Sequence, residues 1–164
     1  PYVTSSNTIA ANACLGLGLS PKAVNDIYGV FKAYTTRVGE GPFPTELHGN
    51  EGKLLQSAGN EFGATTGRPR RCGWLDLSGI NYAARINGVN KFVITKTDVL
   101  SQIDNVKICT SFNSNKGVDH QNYPDTFYEN HLQPEFEHFN SWGDEFANAN
   151  CKADLPENLQ IFIN

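Results

Sequence analysis

The chain has 164 residues, a mass of 18.0 kDa and a formal net charge of −4. Hydrophobic residues make up 39% and charged residues 18% of the chain, which is enough apolar material for one domain and argues against disorder. The isoelectric point near 5.5 argues against a general binder of nucleic acids or of anionic membranes. The sequence contains no Met and begins with Pro1, so we expect a piece of a longer polypeptide.

The predicted elements alternate between strands and helices along the chain. Helices are predicted for residues 10–16, from Ser20-Pro21, for residues 51–58, through Gly88 with Ser78 as the N-cap, and from Asp154 and Pro156 onward. Strands are predicted for residues 2–4, 28–38, 91–95 and 106–112, with loops at residues 39–44 and 63–73. This alternation is typical of an α/β fold. We expect a single unit, with ligand loops in residues 1–112 and peripheral strands and a C-terminal helix in residues 113–164.

The charge is unevenly distributed. Residues 1–100 contain 10 Lys and Arg against 7 Asp and Glu, a balance of +3, whereas residues 101–164 contain 3 against 10, a balance of −7. All the arginines precede residue 86. The first part is therefore suited to an anionic ligand, and the second to a solvated acidic surface.

The cysteines and histidines show no spacing typical of a metal or redox site. Cys14, Cys72, Cys109 and Cys151 are widely spaced, without a C-x-x-C pair, which predicts free thiols. The four histidines, which we interpret as structural or surface residues, are His48, His120, His131 and His138. The chain has no N-glycosylation sequon, signal segment or long apolar run, so a cytoplasmic location and no membrane partner are expected.

The strongest local signal is a glycine- and arginine-rich loop. Its residues are Gly63, Ala64, Thr65, Thr66, Gly67, Arg68, Pro69, Arg70 and Arg71. The glycines allow close approach of a ligand, the threonines offer hydroxyl groups, and the arginines offer forked donors for carboxylates or phosphates. The loop is predicted to hold a dicarboxylate or a nucleotide. A solvated basic turn is the alternative interpretation.

A second candidate site follows the apolar strand 91–95. Lys96, Thr97 and Asp98 stand at its carboxyl end, where open α/β sheets bind ligands. A carboxylate there can accept hydrogen bonds from guanine N1 and N2, although an ordinary strand exit would have the same sequence. The run from Gly49 to Lys53 lacks the spacing of a phosphate loop, and we interpret it as a turn before a helix.

Together these motifs resemble the adenylosuccinate synthetase family. The matching runs are Val3 to Asn7, Lys32 to Gly39, Gly41 to Glu46, Asn60 to Trp74 and Thr95 to Leu100. The resemblance implies a P-loop NTPase-like α/β fold and a ligase that uses GTP to condense IMP with L-aspartate in purine biosynthesis. It also implies a homodimer, and Mg²⁺ bound to the phosphates.

The resemblance assigns a role to each matching residue. Ala64, Thr65, Thr66, Gly67, Arg68 and Arg70 would bind the carboxylates of L-aspartate, with Val38 lining that pocket. Thr4 and Arg68 would contact IMP. Lys96, Thr97 and Asp98 would recognise guanine, and Arg70 would also extend towards GTP.

The chain departs from the family pattern in two places. Ala11-Asn12 stands where the family usually has paired glycines. The family's N-terminal G-D-E-G-K-G phosphate loop is absent from these residues, so the catalytic aspartate, the catalytic histidine and the magnesium ligands are expected outside this chain. We therefore expect an inactive fragment of the enzyme. A stand-alone module that binds guanine nucleotides or dicarboxylates is the alternative, and a nucleic-acid binder is disfavoured by the negative charge.

Overall fold

The computed structural model describes residues 8–114, 117–119 and 132–164. The helices are α1 (Ala11–Leu17), α2 (Gly49–Ala58), α3 (Leu77–Asn87), α4 (Thr97–Leu100) and α5 (Glu157–Phe162), with 3₁₀ turns at Pro21–Ala23, Glu145–Asn148 and Lys152–Asp154. The strands are β1 (Tyr28–Lys32), β2 (Thr35–Arg37), β3 (Arg71–Gly73), β4 (Leu75–Asp76), β5 (Lys91–Thr95), β6 (Val106–Ser114), β7 (Gly117–Asp119) and β8 (Gln133–Phe139). The predicted strand 2–4 lies outside the described residues.

The strands form three small sheets. β1 and β5 pair in parallel, with Lys32 opposite Thr95 at their carboxyl ends. β2 and β3 pair antiparallel, and β6 joins β4, β7 and β8 in the third sheet. This mixture of parallel pairs, helices and hairpins confirms the α/β class predicted from the sequence. No helix within the described ranges is long and apolar enough to cross a membrane.

The predicted continuous strand 28–38 is wrong, because the chain changes its pairing partner within it. β1 ends at Lys32, and the N–H of Ala33 donates to the Thr95 carbonyl oxygen over 2.8 Å. Ala33 and Tyr34 are buried at the bend, and β2 then pairs with β3 instead of β5. Both halves carry strand-forming residues, so the sequence gives no sign of the break.

Helix α3 begins two residues earlier than predicted, with a different cap. The carboxylate of Asp76 accepts a hydrogen bond from the Gly79 N–H over 3.0 Å, which makes Asp76 the N-cap. Ser78, the predicted cap, is a buried residue of the first turn. The C-terminal end is as predicted, because Gly88 adopts the left-handed conformation that ends the helix.

The core joins the end of the chain to the region around α4. Its buried members include Leu55, Leu75, Leu100, Val106 and Ile108 together with Trp142, Leu159 and Phe162. The Trp142 and Phe162 rings lie 4.8 Å apart. The Trp142 indole N–H donates to the Thr97 carbonyl oxygen over 3.1 Å. The segment after residue 132 therefore packs against the first turn of α4 and supports it.

The thiols agree with the sequence prediction. All four cysteines are free; Cys14, Cys72 and Cys109 are buried, whereas Cys151 is exposed. Burial raises the pKa of Cys72 to about 11 and that of Cys109 to about 12. These buried thiols are packing residues and remain protonated near neutral pH.

Candidate functional site

The glycine- and arginine-rich loop is the tip of a short hairpin. Phe62 and Pro69 form a bridge that closes it. Inside the bridge the Gly63 N–H donates to the Arg68 carbonyl oxygen over 2.9 Å, and the Gly67 N–H donates to the Gly63 carbonyl oxygen over 2.8 Å. Gly67 has a φ of +64°, which favours glycine. These two backbone hydrogen bonds give the loop a defined shape.

The tip of this hairpin is exposed, as a ligand-binding loop requires. The exposed residues include Ala64, Thr65, Thr66, Gly67 and Arg68. Thr66 Oγ1 accepts the Arg68 N–H over 3.3 Å. A Cβ on Gly63 would lie 2.8 Å from that Oγ1, so a larger residue would displace the hydroxyl. The predicted loop 63–73 is too long, because its last three residues form β3.

Arg70 leaves the loop and forms an ion pair with a buried carboxylate. Its Nη1 lies 2.8 Å from Oε2 of Glu61, and the Glu61 side chain is 1% exposed. The other oxygen, Oε1, accepts from Lys32 Nζ at 2.7 Å and from the Tyr34 hydroxyl at 2.6 Å. Glu61 is therefore the centre of a four-residue cluster of Lys32, Tyr34, Glu61 and Arg70, which we call the Glu61 cluster.

Electrostatics in the Glu61 cluster favour the charged carboxylate. Burial by itself would raise the pKa of Glu61, but hydrogen bonds from Lys32, Tyr34 and Arg70 outweigh it and lower the pKa below its ordinary value. The pKa of Tyr34 is strongly raised by burial and by the neighbouring Glu61. Tyr34 therefore acts as a hydrogen-bond donor, and Glu61 as an anionic acceptor.

Sequence reasoning did not single out Glu61. It follows α2, and its backbone N–H donates to the Gln56 carbonyl oxygen over 2.8 Å. Its carbonyl oxygen accepts the Arg70 N–H over 2.9 Å, which aligns the two sides of the hairpin. Its partners lie 29, 27 and 9 positions away in the sequence, so no local spacing marks it.

The neighbouring Arg71 has a different role. Its Nε and Nη2 bind the two oxygens of Glu46, and its Nη1 donates to the carbonyl oxygens of Gly39 and Gly41. The pKa of Glu46 is lowered, chiefly by its hydrogen bond from Arg71. Arg71 thus fixes the loop at residues 39–44 against β3, and its side chain belongs to the scaffold.

The second candidate site stands at the carboxyl end of β5. Lys96 and Asp98 are exposed and Thr97 is half-buried. Lys96 adopts a left-handed conformation, with φ of +64°, and ends the strand where α4 begins. Val99 and Leu100 are buried and anchor this turn, so Asp98 projects from a fixed support.

A hydrogen bond links the second candidate site to the segment that precedes the hairpin. Lys96 Nζ donates to the carbonyl oxygen of Gly59 over 3.3 Å, and Gly59 is two residues from Glu61. Val38 is 69% exposed and directly follows Arg37, which pairs with Arg71 of β3. Val38 thus lies close to the end of the hairpin. Thr4 lies outside the described residues.

The interpretation of Gly49 to Lys53 as a turn before a helix is wrong, because these residues form the first half of α2, which begins two residues earlier than the predicted helix 51–58. In residues 8–114, 117–119 and 132–164 no three His, Cys, Asp or Glu side chains are grouped to hold a metal ion. These residues offer no donor set for Mg²⁺, and we assign them no role in binding it.

The family model described as adenylosuccinate synthetase matches residues 1–164. The chain belongs to the adenylosuccinate synthetase family. It is 47% identical to the adenylosuccinate synthetase of Nocardioides sp., over 99% of this chain and 38% of that protein. It is 48% identical to the Clostridium botulinum enzyme, over 99% of this chain and 38% of that protein.

A solved structure gives the same result. The chain is similar to the fully ligated adenylosuccinate synthetase from Plasmodium falciparum, with a TM-score of 0.90 and 39% identity over 99% of this chain and 39% of that chain. The chain therefore has the fold of that part of an adenylosuccinate synthetase, and spans about two fifths of the length of these relatives.

Proposed function

We propose that the polypeptide to which these residues belong is a GTP-dependent ligase that condenses IMP with L-aspartate to give adenylosuccinate, GDP and phosphate. The observation that carries the proposal is the hydrogen bond from Lys96 to Gly59, two residues before the Glu61 that binds Arg70. This bond links the turn that carries Lys96 and Asp98 to the segment that leads into the hairpin. The family membership supports the same function.

In this proposal the hairpin binds anionic substrate. The hydroxyl groups of Thr65 and Thr66 and the guanidinium groups of Arg68 and Arg70 bind the two carboxylates of L-aspartate. Ala64 and Gly67 keep the loop backbone open to the ligand, and Val38 lines the apolar side of the pocket. Thr4 and Arg68 contact IMP.

The turn at residues 96–98, which follows β5, recognises the co-substrate GTP. The Asp98 carboxylate accepts the N1 and N2 hydrogens of guanine, which adenine does not present in the same pattern. Lys96 lies along the base, and Thr97 positions the turn. Arg70 extends towards the GTP phosphates as well as to aspartate. These contacts bind and orient the substrates, which lowers the entropic part of the barrier.

The chemical step is proposed to use groups outside this chain. O6 of IMP displaces GDP from the γ-phosphorus of GTP, and the amine of aspartate then displaces the phosphate from C6. An aspartate base, a histidine and Mg²⁺, which neutralises charge on the phosphates, belong to the rest of the polypeptide. The proposal includes a cytoplasmic homodimer.

The test measures adenylosuccinate formation from GTP, IMP and L-aspartate. We expect turnover by the full-length protein and none by the 164-residue segment. Turnover by the purified segment would show that it carries the catalytic groups. Failure of the full-length protein to form adenylosuccinate would contradict the proposed function.

The alternative is a stand-alone binding module, and calorimetry separates it from the ligase. The hairpin makes its internal hydrogen bonds with residues of this segment alone. A loop that is already formed in the segment favours this alternative. Micromolar GTP binding by the isolated segment, lost in Asp98→Ala, would support the module. We expect weaker binding, because much of each ligand's surface would remain uncovered.

A further inference from the structure

The fold fixes one arginine of the hairpin much more firmly than another. Arg68 is exposed at the tip, where its backbone N–H is bonded to Thr66 Oγ1. Arg70 is half-buried, and its guanidinium lies 2.8 Å from the buried carboxylate of Glu61. A ligand-binding arginine held in this way keeps its orientation when no ligand is present.

The carboxylate that holds Arg70 is itself held on both oxygens. Oε2 accepts from Arg70, while Oε1 accepts from Lys32 at 2.7 Å and from Tyr34 at 2.6 Å. Rotation of the carboxylate would break charge-assisted hydrogen bonds on both sides. Lys32 also donates to Thr36 Oγ1 over 3.1 Å, so the far side of the cluster is fixed to β2.

The charge balance of the cluster suits an anion site better than a structural pair. Lys32 and Arg70 contribute two positive charges against the single negative charge of Glu61. A buried ion pair is a weak stabiliser, because desolvation offsets most of its attraction. An excess positive charge beside the exposed hairpin instead favours an incoming carboxylate or phosphate.

We propose that Glu61 is a positioning residue that orients Arg70 for its anionic ligands. It also couples the hairpin to the turn at residues 96–98, which is proposed to recognise guanine. The coupling runs through the short segment from Gly59 to Glu61, since the carbonyl oxygen of Gly59 accepts the hydrogen bond from Lys96. This inference rests on the proposed function, in which Arg70 contacts both aspartate and GTP.

The first test is Glu61→Gln in the full-length protein. Glutamine keeps the size of the side chain but replaces one acceptor oxygen with an amide donor, so it cannot accept from both sides. We expect the KM values for aspartate and for GTP each to rise about tenfold, with a smaller change in the KM for IMP.

A matched control separates positioning from general stability. Glu46 forms a comparable ion pair with Arg71, whose side chain is as exposed as that of Arg70. Glu46→Gln therefore removes a neighbouring carboxylate charge without touching the Glu61 cluster. We expect its KM values to stay within about twofold of the wild type. Equal KM changes in both variants would overturn the positioning role.

A double-mutant cycle with Arg70→Leu decides whether Glu61 acts through Arg70. If it does, Glu61→Gln adds little to the KM change that Arg70→Leu already causes. Two results would overturn this inference and leave the proposed function intact. One is additive KM changes in the double variant, and the other is an unchanged KM in Glu61→Gln when Arg70→Leu raises the KM. If the wild type is active and Arg70→Leu leaves its KM values unchanged, Arg70 does not have its proposed role and this inference is overturned with it. Absence of adenylosuccinate from the wild type would overturn the proposed function and, with it, this inference.

Discussion

The ammonium group of Lys96 donates a hydrogen bond to the carbonyl oxygen of Gly59 over 3.3 Å. This bond joins the residue that follows β5 to the residue that follows α2, and the two are 37 positions apart in the sequence. Gly59 is closely surrounded at this point, because a Cβ there would lie 2.3 Å from the Tyr34 hydroxyl and 3.1 Å from the Leu55 carbonyl oxygen. The segment that leads into the hairpin is therefore tightly packed where Lys96 contacts it.

Gly59→Ala is expected to destabilise the protein. The added methyl group would displace the Tyr34 hydroxyl from Glu61, and such overpacking costs about 1–3 kcal/mol. The thermal unfolding midpoint of the full-length protein measures the effect. Gly16→Ala in α1 is the control, since nothing lies within 4 Å of the place that its methyl group would occupy and alanine favours a helix. An equal midpoint in both variants would contradict the close packing at Gly59.

Arg68→Leu is expected to raise the KM for aspartate and to lower kcat in the full-length protein. The side chain is exposed at the hairpin tip, so its loss would remove the proposed ligand contact without disturbing the core. Loss of a charge-assisted hydrogen bond corresponds to a decrease of roughly tenfold or more in kcat/KM. Arg85→Leu on α3 removes another exposed arginine and serves as the control. Unchanged kinetics in Arg68→Leu would remove its assigned role.

Thiol labelling is expected to distinguish Cys151 from the other cysteines. Cys151 is exposed, whereas Cys14, Cys72 and Cys109 are buried. An aromatic disulfide reagent should therefore label one thiol of this segment quickly and the other three only on unfolding. Cys151→Ser should abolish the fast phase. A fast phase that survives in Cys151→Ser would show that one of the buried thiols is accessible.

Acid is expected to weaken the Glu61 cluster. The pKa of Glu61 is lower in the folded protein than its ordinary value of 4.5, so the unfolded chain takes up its proton first as the pH falls. The stabilisation is complete above that ordinary value and is lost as the pH falls through the folded pKa. Unfolding midpoints measured between about pH 6 and pH 3 should fall less steeply in Glu61→Gln than in the wild type. Parallel curves would contradict the lowered pKa.

Local patterns predicted much of the fold. The apolar, β-branched run Lys91–Thr95 is a strand with the predicted bounds, and the small-residue helix at residues 10–16 is found as α1, one residue later. These elements follow from side-chain properties that act over a few neighbouring residues. The break after Lys32 was missed because it depends on which strand each half meets, which is a property of the tertiary fold.

The candidate site was predicted in a similar way. Gly67 and Arg68 were predicted as site residues because residue type alone indicates that glycine suits a turn and that arginine suits an anionic ligand. Glu61 did not, because an isolated acidic residue in a sequence is ordinarily a solvated one. Its importance arises from burial between β1, α2 and the hairpin, and only three-dimensional contacts reveal it.

The two arginines that end the hairpin face opposite partners: Arg70 binds Glu61 and Arg71 binds Glu46. Successive residues of an extended chain point to opposite sides, so this division depends on the pairing of β3 with β2, which places Arg71 opposite Arg37. A shift of that pairing by one residue would exchange the two guanidinium groups and turn the Arg71 side chain towards Glu61. The separation of the two arginines therefore depends on the short β2–β3 pairing outside the loop and not on the exposed tip.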